Sequence, residues 1–452
     1  MVLKELFYIS KDDISRNKLR EDLEVYGKGY QDALKVEQCF TDAGEYWGVP
    51  IPYGLEFCGG KFDDQTPNIE MDWPDIDFQG WYNQEEVISK MVAHLIEHRV
   101  GMMLAPCSFG KTVCSIEIAR RLKTNMLFVC HKVEDVLEQA ADTLDEIYPD
   151  IKYGWIKGNK KVDPSNHVTF ASMQTLRNRI NKGVDYLDKF GILIADEVQR
   201  GACKSWQTIL KNVNSTYKMG MTATPRRSDN LHQVFFNYLG DIVAKGVKPP
   251  QKRSLFCPIL DTKVSIKQFM DYRGQISSNN MYNALAESDS FNKWIVEKCC
   301  QVIPRRGRMI VVVKRISQMD ALEQLVAKTP YSFGRFQGGM KKDELKCSAE
   351  CDIICGTVSK IGEGFDSKRF IGAEKFEQLK PLNTMLIACP VKDSEQCIGR
   401  VGRGKGNPDV LIIHPVNNDN VCKGMFKKCW TKVYQPLNVK EILNLPKFLE
   451  QQ

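Results

Sequence analysis

At 452 residues, with 43% hydrophobic and 26% charged residues, the chain has the composition of an ordinary soluble protein of two or three domains. No apolar run approaches the roughly 20 residues that span a bilayer, and Met1-Val2-Leu3-Lys4-Glu5-Leu6 lacks the basic flank and cleavage site of a signal peptide. Membrane and secreted classes are therefore set aside for a cytoplasmic protein. The 16 scattered cysteines, with no C-x₂-C pair, argue against a zinc or disulfide framework, and a net charge of +7 permits nucleic-acid binding without demanding it.

Residues 1–78 predict a small α+β module. Its start is charged and helix-friendly; Tyr46-Trp47-Gly48-Val49-Pro50-Ile51-Pro52-Tyr53-Gly54 follows, and the acidic stretch from Asp63 to Asp77 reads as a linker or long loop. From Trp81 onward, apolar strands alternate with amphipathic helices. Strands are expected at Met126–Cys130, Val168–Ala171, Gly191–Ala195 and Tyr217–Met221, with helices at Val133–Ile147 and Trp206–Val213. This alternation predicts a parallel sheet covered on both faces. It breaks near Lys245-Gly246-Val247-Lys248-Pro249-Pro250, as a hinge would. It resumes with a helix at Ser290–Cys300 and strands at Met309–Val313, Ile353–Cys355, Met385–Ala388 and Val410–His414. The expected fold is α/β, with two parallel-sheet domains (79–247 and 248–452) in tandem behind the small α+β one. No internal sequence repeat accompanies the echo.

The stretch Ala105-Pro106-Cys107-Ser108-Phe109-Gly110-Lys111-Thr112 lies between an apolar strand, Val100–Leu104, and an amphipathic helix ending in Arg120-Arg121. Strand, Gly-Lys-Thr turn and helix form the setting of a phosphate-binding loop. Backbone N–H groups around Ser108 and Gly110 and the helix dipole would face phosphate; Lys111 would reach the outer phosphates and the Thr112 hydroxyl would ligate Mg²⁺. Ala105 stands where the usual spacing has a glycine. Downstream, Asp196-Glu197-Val198-Gln199 closes a buried strand, where doubly wound sheets place ligands. Asp196 could share the Mg²⁺, and Glu197 could polarise an attacking water. Met221-Thr222-Ala223-Thr224-Pro225 follows another strand. Gly356-Thr357-Val358-Ser359 leads to Gly362-Glu363-Gly364-Phe365-Asp366, and Gln396-Cys397-Ile398-Gly399-Arg400-Val401-Gly402-Arg403 puts two arginines on an expected helix face. Singly, each piece has a plain structural reading as cap, turn or solvated charge. The ordered set does not.

In that order the motifs resemble the superfamily 2 helicases and translocases, over about Trp81 to His414. Within it, the compact N-terminal module and the Asp-Glu-Val-Gln box resemble the phage branch-migration helicases of the UvsW type. The resemblance implies two tandem RecA-like domains and ATP hydrolysis with Mg²⁺. It further implies a DNA partner, forked or branched, and work beside phage or host recombination and replication proteins in the bacterial cytoplasm. It assigns Lys111, Ser108, Gly110, Thr112, Gly364 and Asp366 to the nucleotide, Thr112 and Asp196 to the metal, Glu197 to catalysis, and Arg400 and Arg403 to arginine fingers. Gln84 resembles the adenine-reading glutamine, although Trp81-Tyr82-Asn83 replaces the common Arg-Pro-Tyr. Lys132, Ser172, Gln174, Lys314 and Thr357 fall in segments that touch nucleic-acid backbone in relatives; for the first four a solvated role is equally open.

The segment from Asp366 to Pro381 is longer than relatives have, and mixes basic residues with Phe370 and Phe376. Those rings either stack on unpaired bases beside the track or pack down on their own domain. Two further function classes stay open: an RNA helicase, and a non-motor nucleic-acid binder switched by ATP.

Overall fold

The computed structural model describes residues 1–28, 33–106, 109–131, 140–141, 144–145, 147–157, 162–199, 203–227, 229–248, 250–403 and 409–450. The chain divides into two compact units, Met1–Lys248 and Pro249–Gln452. The expected helix at Val133–Ile147 lies largely outside the described residues. No helix among them is long and apolar enough to cross a membrane.

In the first unit, a five-stranded sheet runs in the order Thr41–Ala43, Tyr46–Val49, Phe7–Ser10, Val2–Leu3, Asp63–Asp64. Phe7 and Ile9 alternate inward with half-buried Tyr8 and Ser10, the period of a strand with one wet face. Helix Ile51–Cys58 lies so close to this sheet that a Cβ on Gly54 would meet Phe7 Cγ at 2.1 Å. Leu3, Phe7, Ile9 and Ile51 share one apolar core with Leu127, Val129 and Leu193 of the larger sheet and Trp206 of the helix Cys203–Asn212. Beyond Asp64 the acidic stretch is irregular but strapped down: Trp73 Nε1 donates to the Thr124 carbonyl at 3.0 Å, Thr124 Oγ1 to Ile69 O at 2.7 Å, and Met71 N to Lys123 O at 2.8 Å.

The larger sheet of this unit contains β1 (Val100–Leu104), β2 (Met126–Cys130), β3 (Tyr153–Ile156), β4 (Val168–Ser172), β5 (Ile192–Asp196), β6 (Tyr217–Thr222) and β7 (Ile242–Lys245), in the order β3-β4-β2-β5-β6-β1-β7. The second unit contains β8 (Arg253–Phe256), β9 (Arg308–Val313), β10 (Phe333–Phe336), β11 (Ile353–Thr357), β12 (Leu382–Ile387), β13 (Val410–Ile413) and β14 (Lys440–Glu441), in the order β10-β11-β9-β12-β13-β8-β14. Strand for strand the two orders are the same, and all pairings in both are parallel. These are two tandem RecA-like sheets.

Both faces of each sheet are covered, which is why the strands read as unbroken apolar runs. Along β2 and β5, Leu127, Val129, Leu193 and Ala195 enter one core, and Met126, Phe128, Ile192 and Ile194 the other. Met309, Val311 and Val313 of β9 likewise face one core, and Ile310 and Val312 the opposite one. Parallel strands with this crossover pattern bring their carboxyl ends, and the loops that follow them, to one edge of the sheet.

Candidate nucleotide site and the motifs around it

At the carboxyl end of β1, Ala105 is fully buried and its N–H donates to the Thr222 carbonyl at the end of β6, 2.9 Å away. Cys107 and Ser108 lie outside the described residues. Gly110 caps the helix Lys111–Arg121 with φ 90, a left-handed conformation that glycine adopts without a Cβ penalty. A Cβ there would sit 2.4 Å from Gln84 Nε2. The Gln84 amide is buried, donating to the Phe109 carbonyl at 2.6 Å and accepting from Trp81 N–H at 2.8 Å. In this arrangement Gln84 braces the loop through its backbone.

The neighbouring Asn83 forms a clip. Its Nδ2 donates to the Lys245 carbonyl at 3.1 Å and its Oδ1 accepts from Val247 N–H at 2.9 Å. Between them, Gly246 lies against the buried Phe109 ring, where a Cβ would come within 2.7 Å of Cε1. Trp81 and Tyr82, beside the clip, are 45% and 57% exposed.

Lys111 Nζ meets Glu197 Oε1 at 2.5 Å, both side chains being largely shielded from solvent. Asp196, buried at the end of β5, precedes a Glu197 held at φ 51. A non-glycine residue in that region stores about 1–3 kcal/mol of strain, tolerated where surrounding contacts fix it. Here Gln199 Nε2 donates to Glu197 Oε2, while Gln199 Oε1 accepts from buried Thr222 Oγ1 at 2.6 Å. Thr224 N–H donates to Thr222 Oγ1 at 3.0 Å. Arg227 adds a bond to the Gln199 carbonyl at 2.8 Å and a two-pronged pair to Asp229, whose carboxyl it holds below the usual carboxylate range. The phosphate loop, the carboxylate box and the Thr-Ala-Thr turn are thus one hydrogen-bonded chain. Gln199 and Arg227 were given no role on sequence; their signal was the fourth box position and the Arg226-Arg227 pair after Thr-Ala-Thr-Pro. Thr112 stands half-buried in the first turn of the loop's helix.

Of the expected nucleic-acid contacts in this unit, Lys132 lies outside the described residues. Ser172 is buried and caps helix Met173–Ile180, accepting from Thr175 N–H at 3.0 Å, so its hydroxyl is used locally. Gln174 is exposed in the first turn of that helix.

In the second unit, Thr357 caps the helix Val358–Gly364, and Asp366 caps Ser367–Ile371. Arg403 pairs with Asp366 Oδ2 at 2.5 Å and donates from Nε to the Gly399 carbonyl at 2.9 Å. Arg400 donates to the Gly362 carbonyl from Nε at 3.2 Å and from Nη2 at 2.6 Å. Both arginines are therefore fastened to the segment that holds Gly364 and Asp366. The expected helix face is corrected here: the helix spans only Glu395–Ile398, and Arg400 and Arg403 lie in the turn beyond it. Gly399 caps the end of the helix; Gly402, in the turn beyond, has φ 70 and its N–H donates to Leu382 O at 2.9 Å. Lys314 is exposed just past β9, its ammonium 5.7 Å from the centre of the Tyr282 ring.

The insertion after Asp366 folds into two short helices, Ser367–Ile371 and Ala373–Gln378. Phe370 meets Phe336 edge-on at 5.2 Å and lies 6.5 Å from Phe365, and Phe376 packs against the same core. Both rings are half-buried on their own domain, the second of the two alternatives the sequence left open.

Residues 77–227 match the family described as type III restriction enzyme, res subunit. An Acanthamoeba polyphaga mimivirus protein named as an ATP-dependent RNA helicase is 25% identical over 397 residues, covering 85% of this chain and 74% of that protein. The DNA 3'-5' translocase XPB2 of Sulfurisphaera tokodaii is 26% identical over 149 residues, 33% of this chain and 32% of its own. Among solved structures, T4 UvsW aligns over 95% of this chain and 94% of its own, with 15% identity and a TM-score of 0.37. The motifs stand in order on two tandem parallel sheets, and the relatives similar in sequence are named as helicase or translocase, which together support a superfamily 2 helicase.

Proposed function

We propose that the chain is an ATP-driven motor that translocates on DNA and remodels forked or branched structures, with functional divisions at 1–78, 79–247 and 248–452. The observation that supports it most directly is the continuous connection from Lys111 through Glu197 and Gln199 to Thr222. A site that only held a nucleotide would have no use for a carboxylate kept in a strained backbone beside the phosphate-loop lysine.

The residues present fit a magnesium nucleotide. Lys111 and Thr112 open the helix after the loop, and Thr112 and Asp196 offer the hard oxygen donors that Mg²⁺ takes. Bound there, the ion would neutralise phosphate charge. Incoming phosphates compete with Glu197 for the Lys111 ammonium. Lys111 then holds the outer phosphates, and the released Glu197 oxygen accepts a proton from the attacking water while Gln199 fixes the other oxygen. In this reading Arg400 and Arg403 have the role of arginine fingers, and Gln84 keeps Phe109 and Trp81 in register beside the phosphate loop. Phosphate contacts from Gln174, Lys314 and the Thr357 turn need not read sequence.

The test is ATP turnover with forked DNA, linear duplex, single-stranded DNA and single-stranded RNA, run beside Lys111→Ala. Stimulation by forked DNA above the other three, abolished in Lys111→Ala while DNA is still bound, is the expected result. Stimulation by RNA alone would move the substrate to RNA, the reading favoured by the name of the mimivirus relative. No turnover with any of them would leave an ATP-switched binder.

A further inference from the structure

One aromatic side chain in the second unit stands outside everything described so far. Between Phe269 and Ser277 the chain doubles back. Met270 and Ile276 form an antiparallel bridge, and Ser277 N–H donates to the Phe269 carbonyl at 2.8 Å. Asp271 closes the turn: its N–H donates to Gln275 O at 2.8 Å, and its carboxylate accepts from the N–H groups of Arg273 at 2.8 Å and Gln275 at 3.0 Å. Gly274 completes it at φ 72. An aspartate bonded to the backbone ahead of it fixes a turn without help from a core.

At the apex, Tyr272 is 88% exposed, the highest of any aromatic among the described residues. Arg273 lies over its ring at 5.0 Å from the centroid. Residues 261–277 carry Lys263, Lys267 and Arg273 against two acids, Asp261 and Asp271, whose carboxylates accept from the backbone N–H groups of Lys263 and of Arg273 and Gln275. The surrounding charge therefore suits a polyanion. An isolated exposed ring would need no explanation; this one is presented by a rigid support.

That support also holds Lys314. Asn280 Nδ2 donates to the Met270 carbonyl at 2.7 Å. From the same helix, Ser278–Ala286, Asn283 Oδ1 accepts from Arg315 Nε at 2.6 Å and Asn279 Oδ1 from Arg315 Nη2 at 2.9 Å. The Tyr282 ring of that helix faces both Lys314 and Arg315. The apex and the proposed phosphate-binding lysine after β9 are thus fastened to one helix, so a strand gripped at one is presented to the other.

We propose that the Asp271–Gln275 turn is a nucleic-acid contact of the second unit: Tyr272 stacks on an unpaired base, and Arg273 and Lys267 take the adjoining phosphates. This rests on the reading of the chain as a nucleic-acid motor. Stacking on an aromatic platform tolerates any base, which suits a motor that reads no sequence.

The test uses the full chain and a single-stranded DNA oligonucleotide containing 2-aminopurine, whose fluorescence is quenched on stacking. Tyr272→Ala is expected to weaken binding about tenfold and to remove the quench, with Tyr272→Phe restoring both. Thermal melting should not distinguish the three proteins, since the side chain buries almost nothing. A wild-type chain that binds no strand would overturn the proposed function together with this inference. A Tyr272→Ala protein that binds and quenches like a strand-binding wild type would overturn this inference alone, and return the turn to a protein-facing role.

Discussion

A methyl group at position 110 probes how the phosphate loop is built. At φ 90 an L-residue costs about 1–2 kcal/mol relative to glycine. The new Cβ would also lie 2.4 Å from Gln84 Nε2, so the buried amide must retreat from the Phe109 carbonyl it meets at 2.6 Å. Leaving that acceptor unsatisfied costs about 1–3 kcal/mol more. Gly110→Ala should therefore destabilise the loop by about 2–5 kcal/mol, the sum of the two terms. In a Gln84→Ala background the collision is gone and the carbonyl is already orphaned, so only the backbone cost of about 1–2 kcal/mol remains. A double-mutant cycle should return a coupling of about 1–3 kcal/mol. It can be read from urea denaturation and, independently, from affinity for a fluorescent ATP analogue. Effects that add to within about 0.5 kcal/mol would refute the idea that Gln84 braces this loop.

Arg403 should be intolerant of lysine, because a point charge cannot pair with Asp366 and reach the Gly399 carbonyl as the guanidinium fork does. Arg403→Lys and Arg400→Ala are each expected to lower turnover by about 10³-fold with ATP still bound, and near-normal turnover in both would return them to a structural role. Lys218, buried in β6, donates to the Glu5 and Leu210 carbonyls, and burial pushes its ammonium down from 10.5 to about 7. Between those values the unfolded chain holds the proton more firmly than the folded one, so stability rises with pH from about 7 upward and is lost as pH falls back toward 7. Melting temperatures across that window should show the rise in wild type and a flatter profile in Lys218→Met; parallel profiles would show that Lys218 does not titrate there.

The features legible in the sequence are the local ones. Gly110-Lys111-Thr112 between strand and helix, and Asp196-Glu197 at a strand end, declare themselves through residue type and position within a few residues. The buried strands do so through unbroken apolar runs. What was hidden depends on partners far along the chain. Gln84 reads like a base-recognition residue until its amide is found on the Phe109 carbonyl. The acidic stretch looks like a linker because the atoms that fasten it, at Lys123 and Thr124, lie about 50 residues away in sequence. At Arg400 and Arg403 the warning was present. Two glycines within four residues weaken a helix by about 1 kcal/mol each, enough to end so short a one. Phe370 and Phe376 were ambiguous because basic residues surround them; the short helices turn Phe370 toward Phe336 and Phe365 and Phe376 onto the same core.

Force reaching the first unit from beyond Val247 would enter it at the Asn83 amide and at Gly246, which is seated on Phe109 and bonded through its N–H to the Leu104 carbonyl at the end of β1. The anchor point is thus made of the same few residues that shape the nucleotide loop. A pull on that tether would be felt at Phe109, and a shift of Phe109 would slacken or tighten the tether.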